Sequence, residues 1–140
     1  MSEQNTAIVQ SVYAALNAHD LDALDGVIAE DVVLHGMEAQ GLAALKAEMR
    51  AYFAGVPDFT VTVERLIADR DRVGTWVVCS GTHTGELWGI PPTGRTLAVP
   101  EIDLCRIEDG KVAEFWVLSD GSAMMRQLGL EPQAEPDPAG

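Results

Sequence analysis

Basic residues are scarce in this chain. Nine lysines and arginines stand against 22 aspartates and glutamates, a formal net charge of -13 over 140 residues. A field of that sign repels phosphate backbones and anionic lipid surfaces, so neither nucleic acid nor a membrane is an expected partner. Cysteine is nearly absent as well. Cys79 and Cys105 are the two present, with no CxxC pair and no clustered histidines, which argues against a disulfide framework, a redox motif and a structural zinc site. They read as small core residues of a protein in a reducing, cytoplasmic setting. No apolar run approaches membrane-spanning length, and the polar first residues do not read as a secretion signal.

What is present is a hydrophobic fraction of 47% arranged in two periods. From about residue 5 to 18, Ile8, Val12, Ala15 and Leu16 fall at helical spacing, and Val9 and Tyr13 widen the stripe. Asp20 stands as the N-cap of a second short helix carrying Leu21, Leu24 and Ile28. Residues 32–35 read as a short strand. Gly41 opens a third helix through Leu42, Leu45, Met49 and Tyr52, closed by Gly55, Pro57 and Asp58.

The period then changes to two. Phe59, Val61, Val63, Arg65 and Ile67 alternate with their neighbours as a strand requires. Further strands are expected over 73–84, 95–108 and 111–118, the last pair joined at Asp109-Gly110, a strong hairpin signal. Pro100 inside the 95–108 strand calls for a bulge or an edge position. A final helix over 119–128 ends at Gly129. Residues 131–140, with three prolines and three acids, are expected to be a disordered tail after a single domain over 1–130. Helices followed by a meander of long strands make an α+β fold: a curved antiparallel sheet packed with three N-terminal helices into a cone with an internal pocket.

Three segments carry a resemblance: GTHTGELWGIPPTGR at 81–95, IDLCRIEDGK at 102–111 and RQLG at 126–129. Together they resemble the SnoaL-like polyketide cyclases of the nuclear transport factor two-like superfamily. The resemblance spans about residues 5 to 130. It implies a pocket for a hydrophobic small molecule, no metal or organic cofactor, and often a homodimer formed through the outer sheet face. Its best-known members close a polyketide ring by intramolecular aldol condensation with an aspartate and a histidine. Where they carry histidine and aspartate on the last strand, this chain has Phe115 and Val117. The position of a histidine on the preceding strand is Asp103, and a polar residue near the end of the first strand corresponds to His35.

Residues two apart on a strand point the same way, so Glu101, Asp103 and Cys105 share a face. Two partly desolvated carboxylates roughly 7 Å apart repel, raise one pKa and leave one acid and one base near neutrality. The candidate catalytic set is thus Asp103, Glu101 and His35, with His35 as a third member or as the cation holding Asp103 ionised. The bland alternative pairs Asp103 with an arginine such as Arg65, or turns it to solvent or a dimer partner. Phe115 and Val117 are expected in the pocket wall; Trp88, Met37 and Ile90 belong there, in a lid, or in ordinary loop packing. His83 reads as structural and Trp116 as interface or sheet packing. The functional expectation is a cyclase or isomerase working by acid/base chemistry on a polyketide-like molecule. The alternatives are a binding protein without chemistry and an epoxide-opening enzyme built on Asp103, Arg65 and another acid.

Overall fold

The computed structural model describes residues 2–130; the tail expected to be disordered lies outside them. Helix α1 (Ser2–Asn17) is followed by a single 3-10 segment, Leu21–Gly26, and strand β1 (Ile28–His35). Helix α2 (Leu42–Gly55) precedes four strands, β2 (Thr60–Asp69), β3 (Arg72–Thr82), β4 (Thr96–Glu108) and β5 (Lys111–Ser119), and α3 (Gly121–Leu128) closes the fold. Asp20 caps the 3-10 segment, accepting from the Ala23 amide, and Asp120 caps α3 through the amide of Ala123. Gly129 ends α3 at φ 75°, a conformation in which a side chain would be strained.

The five strands form one sheet in the order β1-β5-β4-β3-β2. All neighbours are antiparallel except β1, which runs parallel to β5. That strand starts earlier than the sequence suggests. Ile28, expected on a helix, is its first residue, because the 3-10 segment stops at Gly26.

Alternation divides the sheet into two faces. On β3 the side chains of Val73, Thr75, Val77 and Cys79 are buried, and on β4 those of Leu97, Val99, Asp103 and Cys105. Trp76, Ile102 and Leu118 point the other way and are exposed. Helix α1 packs on β2 and β3, α2 on β1, and α3 on β4, so two helices close over the buried face.

The bulge lies elsewhere than at Pro100. The β3–β4 register runs unbroken through Val78 opposite Pro100. The amide of Ala98 bonds to Gln127 and the Pro100 carbonyl accepts from Asp120, which places the polar edge of both residues away from β3, beyond the end of β5. The proline nitrogen, lacking a hydrogen, falls on that locally open edge and costs the ladder nothing. Register shifts occur instead in β1 between Ile28 and Val33, in β4 between Arg106 and Ile107, and in β2 between Val63 and Arg65. Past the β2 shift the faces exchange, so that Leu66 and Ala68 pack on the core while Ile67 is 72% exposed.

Between β3 and β4 the chain folds onto the end of α2. The amides of Thr84 and Gly85 both bond to the Gly55 carbonyl. A Cβ at Gly85 would collide with the Ala54 carbonyl, so this approach requires glycine. His83 is fully buried and accepts the Thr93 amide at Nδ1, 3.2 Å away, tying the two limbs of the loop together. This is the structural role expected of it. The loop tip is a tight turn with Leu87 bridged to Ile90 and Trp88 at φ 49°.

Candidate functional site

The space between the buried sheet face and the helices is a cavity of about 390 Å³. Its composition follows from two helical stripes meeting one strand parity. Helix α1 contributes Val12, Tyr13 and Leu16; α2 contributes Leu45, Met49 and Tyr52; β5 contributes Phe115 and Val117. The lining is largely apolar and, among the described residues, includes no lysine or arginine.

Polar groups gather at the sheet. Glu101 and Asp103 lie two apart on β4 and both line the cavity, as does Ser119 at the end of β5. The Ser119 hydroxyl donates to Glu101 Oε1 at 2.7 Å. Asp103 is 1% exposed. Across the sheet it lies in register with Thr75 on β3 and Val117 on β5. Its Oδ2 accepts from the Tyr13 hydroxyl at 2.7 Å, and that hydroxyl lies 2.5 Å from Thr75 Oγ1. Its Oδ1 has no hydrogen-bond partner among the described residues.

Burial first, and the Glu101 carboxylate second, push the Asp103 carboxyl from 3.8 up to about 9, against the opposing pull of the Tyr13 hydrogen bond. Asp103 is therefore a neutral carboxylic acid at pH 7. Burial also drives the Tyr13 phenol far above its usual range, with the nearby Asp103 charge adding to it. Cys79 and Cys105 are free, buried thiols whose pKa values are raised chiefly by burial, in keeping with the core role expected of them.

Of the candidate residues, Asp103, Glu101, Phe115, Val117, Met37 and Trp88 all border the cavity. Trp88 stands at the mouth, edge-on to Tyr52 at 5.6 Å, its indole nitrogen donating to Glu48. Ile90 is not in the lining; it packs against the core from the loop turn.

His35 requires a correction. It and Gly36 border the cavity where β1 ends, but the imidazole lies 2.6 Å from Glu114 and stacks on Trp116 at 4.6 Å. Both partners belong to the outer face of β5, since parallel pairing sets Leu34 opposite Phe115 and His35 opposite Trp116. His35 thus neither joins Asp103 nor compensates its charge. Instead, hydrogen bonds from His35 and Arg106 hold Glu114 below its ordinary range. Trp116 is a sheet-packing residue, with the Arg72 guanidinium 5.9 Å from its ring centre.

Arg65 is also on the outer face, exposed and in register with Trp76. The pairing of Asp103 with Arg65 does not form, and the epoxide-opening arrangement that depended on it is lost.

Sequence reasoning missed Tyr13, Thr75 and Ser119 as parts of the site. Tyr13 was legible only as part of a core stripe, although a buried phenol needs a hydrogen-bond partner. Ser119 lies two residues beyond Val117, on the same strand parity, and that spacing was the available signal.

Two helices thus close over the sheet to enclose an apolar cavity whose sheet side carries the buried Asp103 carboxyl beside the part-buried Glu101, the form of a small-molecule pocket. The comparisons make this specific. The chain belongs to the SnoaL-like polyketide cyclase family, whose sequence profile matches residues 6–128. It is 40% identical over 60 residues to a nogalonic acid methyl ester cyclase of Streptomyces nogalater, covering 40% of this chain and 45% of that protein. Over 68 residues it is 40% identical to the aklanonic acid methyl ester cyclase DnrD of Streptomyces peucetius, 46% of each chain. The matched stretches span less than half the length of these curated relatives. Among solved structures, IdmH of Streptomyces antibioticus, described as a candidate polyketide cyclase, superposes with a TM-score of 0.81 at 32% identity, covering 90% of this chain and 99% of that one. TsrD of Streptomyces laurentii superposes with a TM-score of 0.86 at 27% identity over 93% and 98% of the two chains.

Proposed function

We propose that this protein closes or isomerises a ring in a neutral, polyketide-like ketone or ester by acid/base chemistry carried out by Asp103 and Glu101. The observation that carries this reading is the buried Asp103 carboxyl, which borders an apolar cavity and whose Oδ1 receives no hydrogen bond among the described residues. A carboxylic acid kept neutral at pH 7 can donate a proton to a carbonyl oxygen. The Glu101 carboxylate, oriented by Ser119, takes the proton from the carbon next to a second carbonyl. The carbanion attacks the polarised carbonyl carbon, one carbon–carbon bond forms, and the product has the mass of the substrate. Proton return from Glu101 to Asp103 resets the site. Phe115, Val117 and Met37 hold the chain folded so that its reacting atoms meet, which accelerates ring closure without any ionisable group.

Aklanonic acid methyl ester, the substrate named for one of the relatives, is a suitable probe. Wild-type protein is expected to convert it to an isomer of unchanged mass and, in D₂O, to exchange deuterium into carbons next to the carbonyls faster than buffer does. Tight binding with neither conversion nor exchange would sink the acid/base reading. It would favour the second reading, a binding protein, for which the apolar Val117 opposite Asp103 is the supporting observation.

The outer sheet face supports a further element of the proposal, self-association into a homodimer. Trp76, Ile102, Leu118 and Ile67 are all exposed there, and an apolar patch of this kind marks an interaction surface.

A further inference from the structure

The fold treats the two oxygens of Asp103 differently. Oδ2 is bonded to Tyr13, which in turn contacts Thr75, while Oδ1 has no partner among the described residues. Tyr13 and Thr75 are nearly as buried as Asp103 itself. A phenol has one proton to give. If that proton goes to Asp103, the Thr75 hydroxyl must be the donor to the phenol oxygen, and the chain runs in one direction from Thr75 through Tyr13 to Oδ2. The acid proton of Asp103 then has one place to sit, on Oδ1.

We infer that Tyr13 is a positioning residue that fixes the acid proton of Asp103 on Oδ1 and holds the carboxylate left behind once that proton has passed to a ligand. The inference rests on the reading of Asp103 as the acid of the site. A hydrogen bond to a carboxylate is shorter and stronger than one to a neutral acid. Tyr13 therefore stabilises the state after proton transfer more than the state before it, which is the condition for a contact to speed the step.

The other groups facing Asp103 cannot substitute for it. Glu101, on the same strand, opposes ionisation. Cys105 on β4 and Cys79 on β3 are thiols whose own ionisation is disfavoured by burial and by the nearby carboxylate charge. Val117 on β5 is apolar, and no lysine or arginine borders the cavity among the described residues. Tyr13 is the one side-chain donor to the Asp103 carboxylate among the described residues.

The same atoms could be linked in the opposite direction, with Asp103 donating to Tyr13 and Tyr13 to Thr75. Tyr13 would then stabilise the protonated acid, and Oδ1 would be a bare acceptor. The two directions differ in the sign of one measurable shift.

The test is a titration of the Asp103 side-chain carboxyl by ¹³C NMR in the ligand-free protein, from pH 5 to 11, for wild type and Tyr13→Phe. The Phe variant removes a single oxygen and keeps the packing of the ring. The expected result is a midpoint moved upward, Asp103 becoming about tenfold weaker as an acid. A midpoint that falls, or one that does not move, overturns the inference. Thr75→Val provides a second reading should Tyr13→Phe fail to fold. Losing the donor to the phenol weakens the phenol's own hydrogen bond, so this midpoint should also rise, by less; a fall or no change counts against the inference in the same way. No substrate enters this experiment. Failure of Asp103 in turnover and failure of Tyr13 in titration are therefore separate results.

Discussion

Replacing Asp103 by asparagine should make the protein more stable at neutral and alkaline pH while removing its proposed acid. The carboxyl is held at about 9 in the fold against an ordinary value of 3.8. Between those values the unfolded chain releases the proton and the folded chain retains it. The folded state binds more protons, so stability falls as pH rises through this window. The loss begins near pH 4 and is complete near pH 9. Asparagine has nearly the same shape and no proton to release. Each pH unit inside the window is worth about 1.4 kcal/mol, which puts the ceiling between pH 5 and pH 8 at about 4 kcal/mol; relaxation around a buried charge reduces it. Wild type should therefore lose about 2–4 kcal/mol relative to Asp103→Asn over that range. Urea denaturation at pH 5, 6.5 and 8 measures this directly. Comparing slopes also removes any fixed difference in hydrogen bonding between the two side chains. Parallel stability curves would refute the claim that Asp103 is held neutral by the fold.

Glu101→Gln removes the charge next to Asp103, so the Asp103 midpoint should move down towards the ordinary carboxylate range, read by carboxyl NMR, and the window of falling stability should narrow from its upper end, read by urea denaturation across pH. Val117→Asp places a further carboxyl directly across from Asp103 and should destabilise the fold by about 2–4 kcal/mol at pH 7, measured by denaturant midpoint. Trp88→Ala removes an aromatic ring from the cavity mouth and should weaken binding of an apolar ligand about tenfold, on the order of 1–2 kcal/mol of lost apolar contact, with stability changed by less than about 1 kcal/mol. Leu118→Asp on the outer face should shift a homodimer to monomer in light scattering at micromolar protein without altering ligand binding.

The elements that could be read from the sequence are those governed by local chemistry. Asp20 caps the segment it precedes, and Gly129 ends α3 in a left-handed conformation. Asp109 and Gly110 turn with positive φ at both positions, as their dipeptide signals. Parity correctly grouped Glu101, Asp103 and Cys105, and Phe115 with Val117, because no register shift intervenes in those stretches.

What sequence could not supply was register. Whether the His35 imidazole reaches Asp103 turns on its alignment with β5, and the pairing with Trp116 set it against Glu114 and Trp116 at the border of the cavity. In β2 a single extra residue between Val63 and Arg65 exchanged the faces, sending Arg65 and Ile67 outward. The Tyr13 contact joins residues 90 positions apart. It became visible only when α1 was seen lying across the sheet.

The central claim is that Asp103 supplies the proton for ring closure. The most direct measurement is single-turnover conversion of aklanonic acid methyl ester by wild type and by Asp103→Asn, each shown to be folded and to bind the probe. The account predicts binding by both proteins and conversion by wild type, with the variant slowed at least a hundredfold, on the order of the contribution of a general acid. Conversion by Asp103→Asn at the wild-type rate would contradict it.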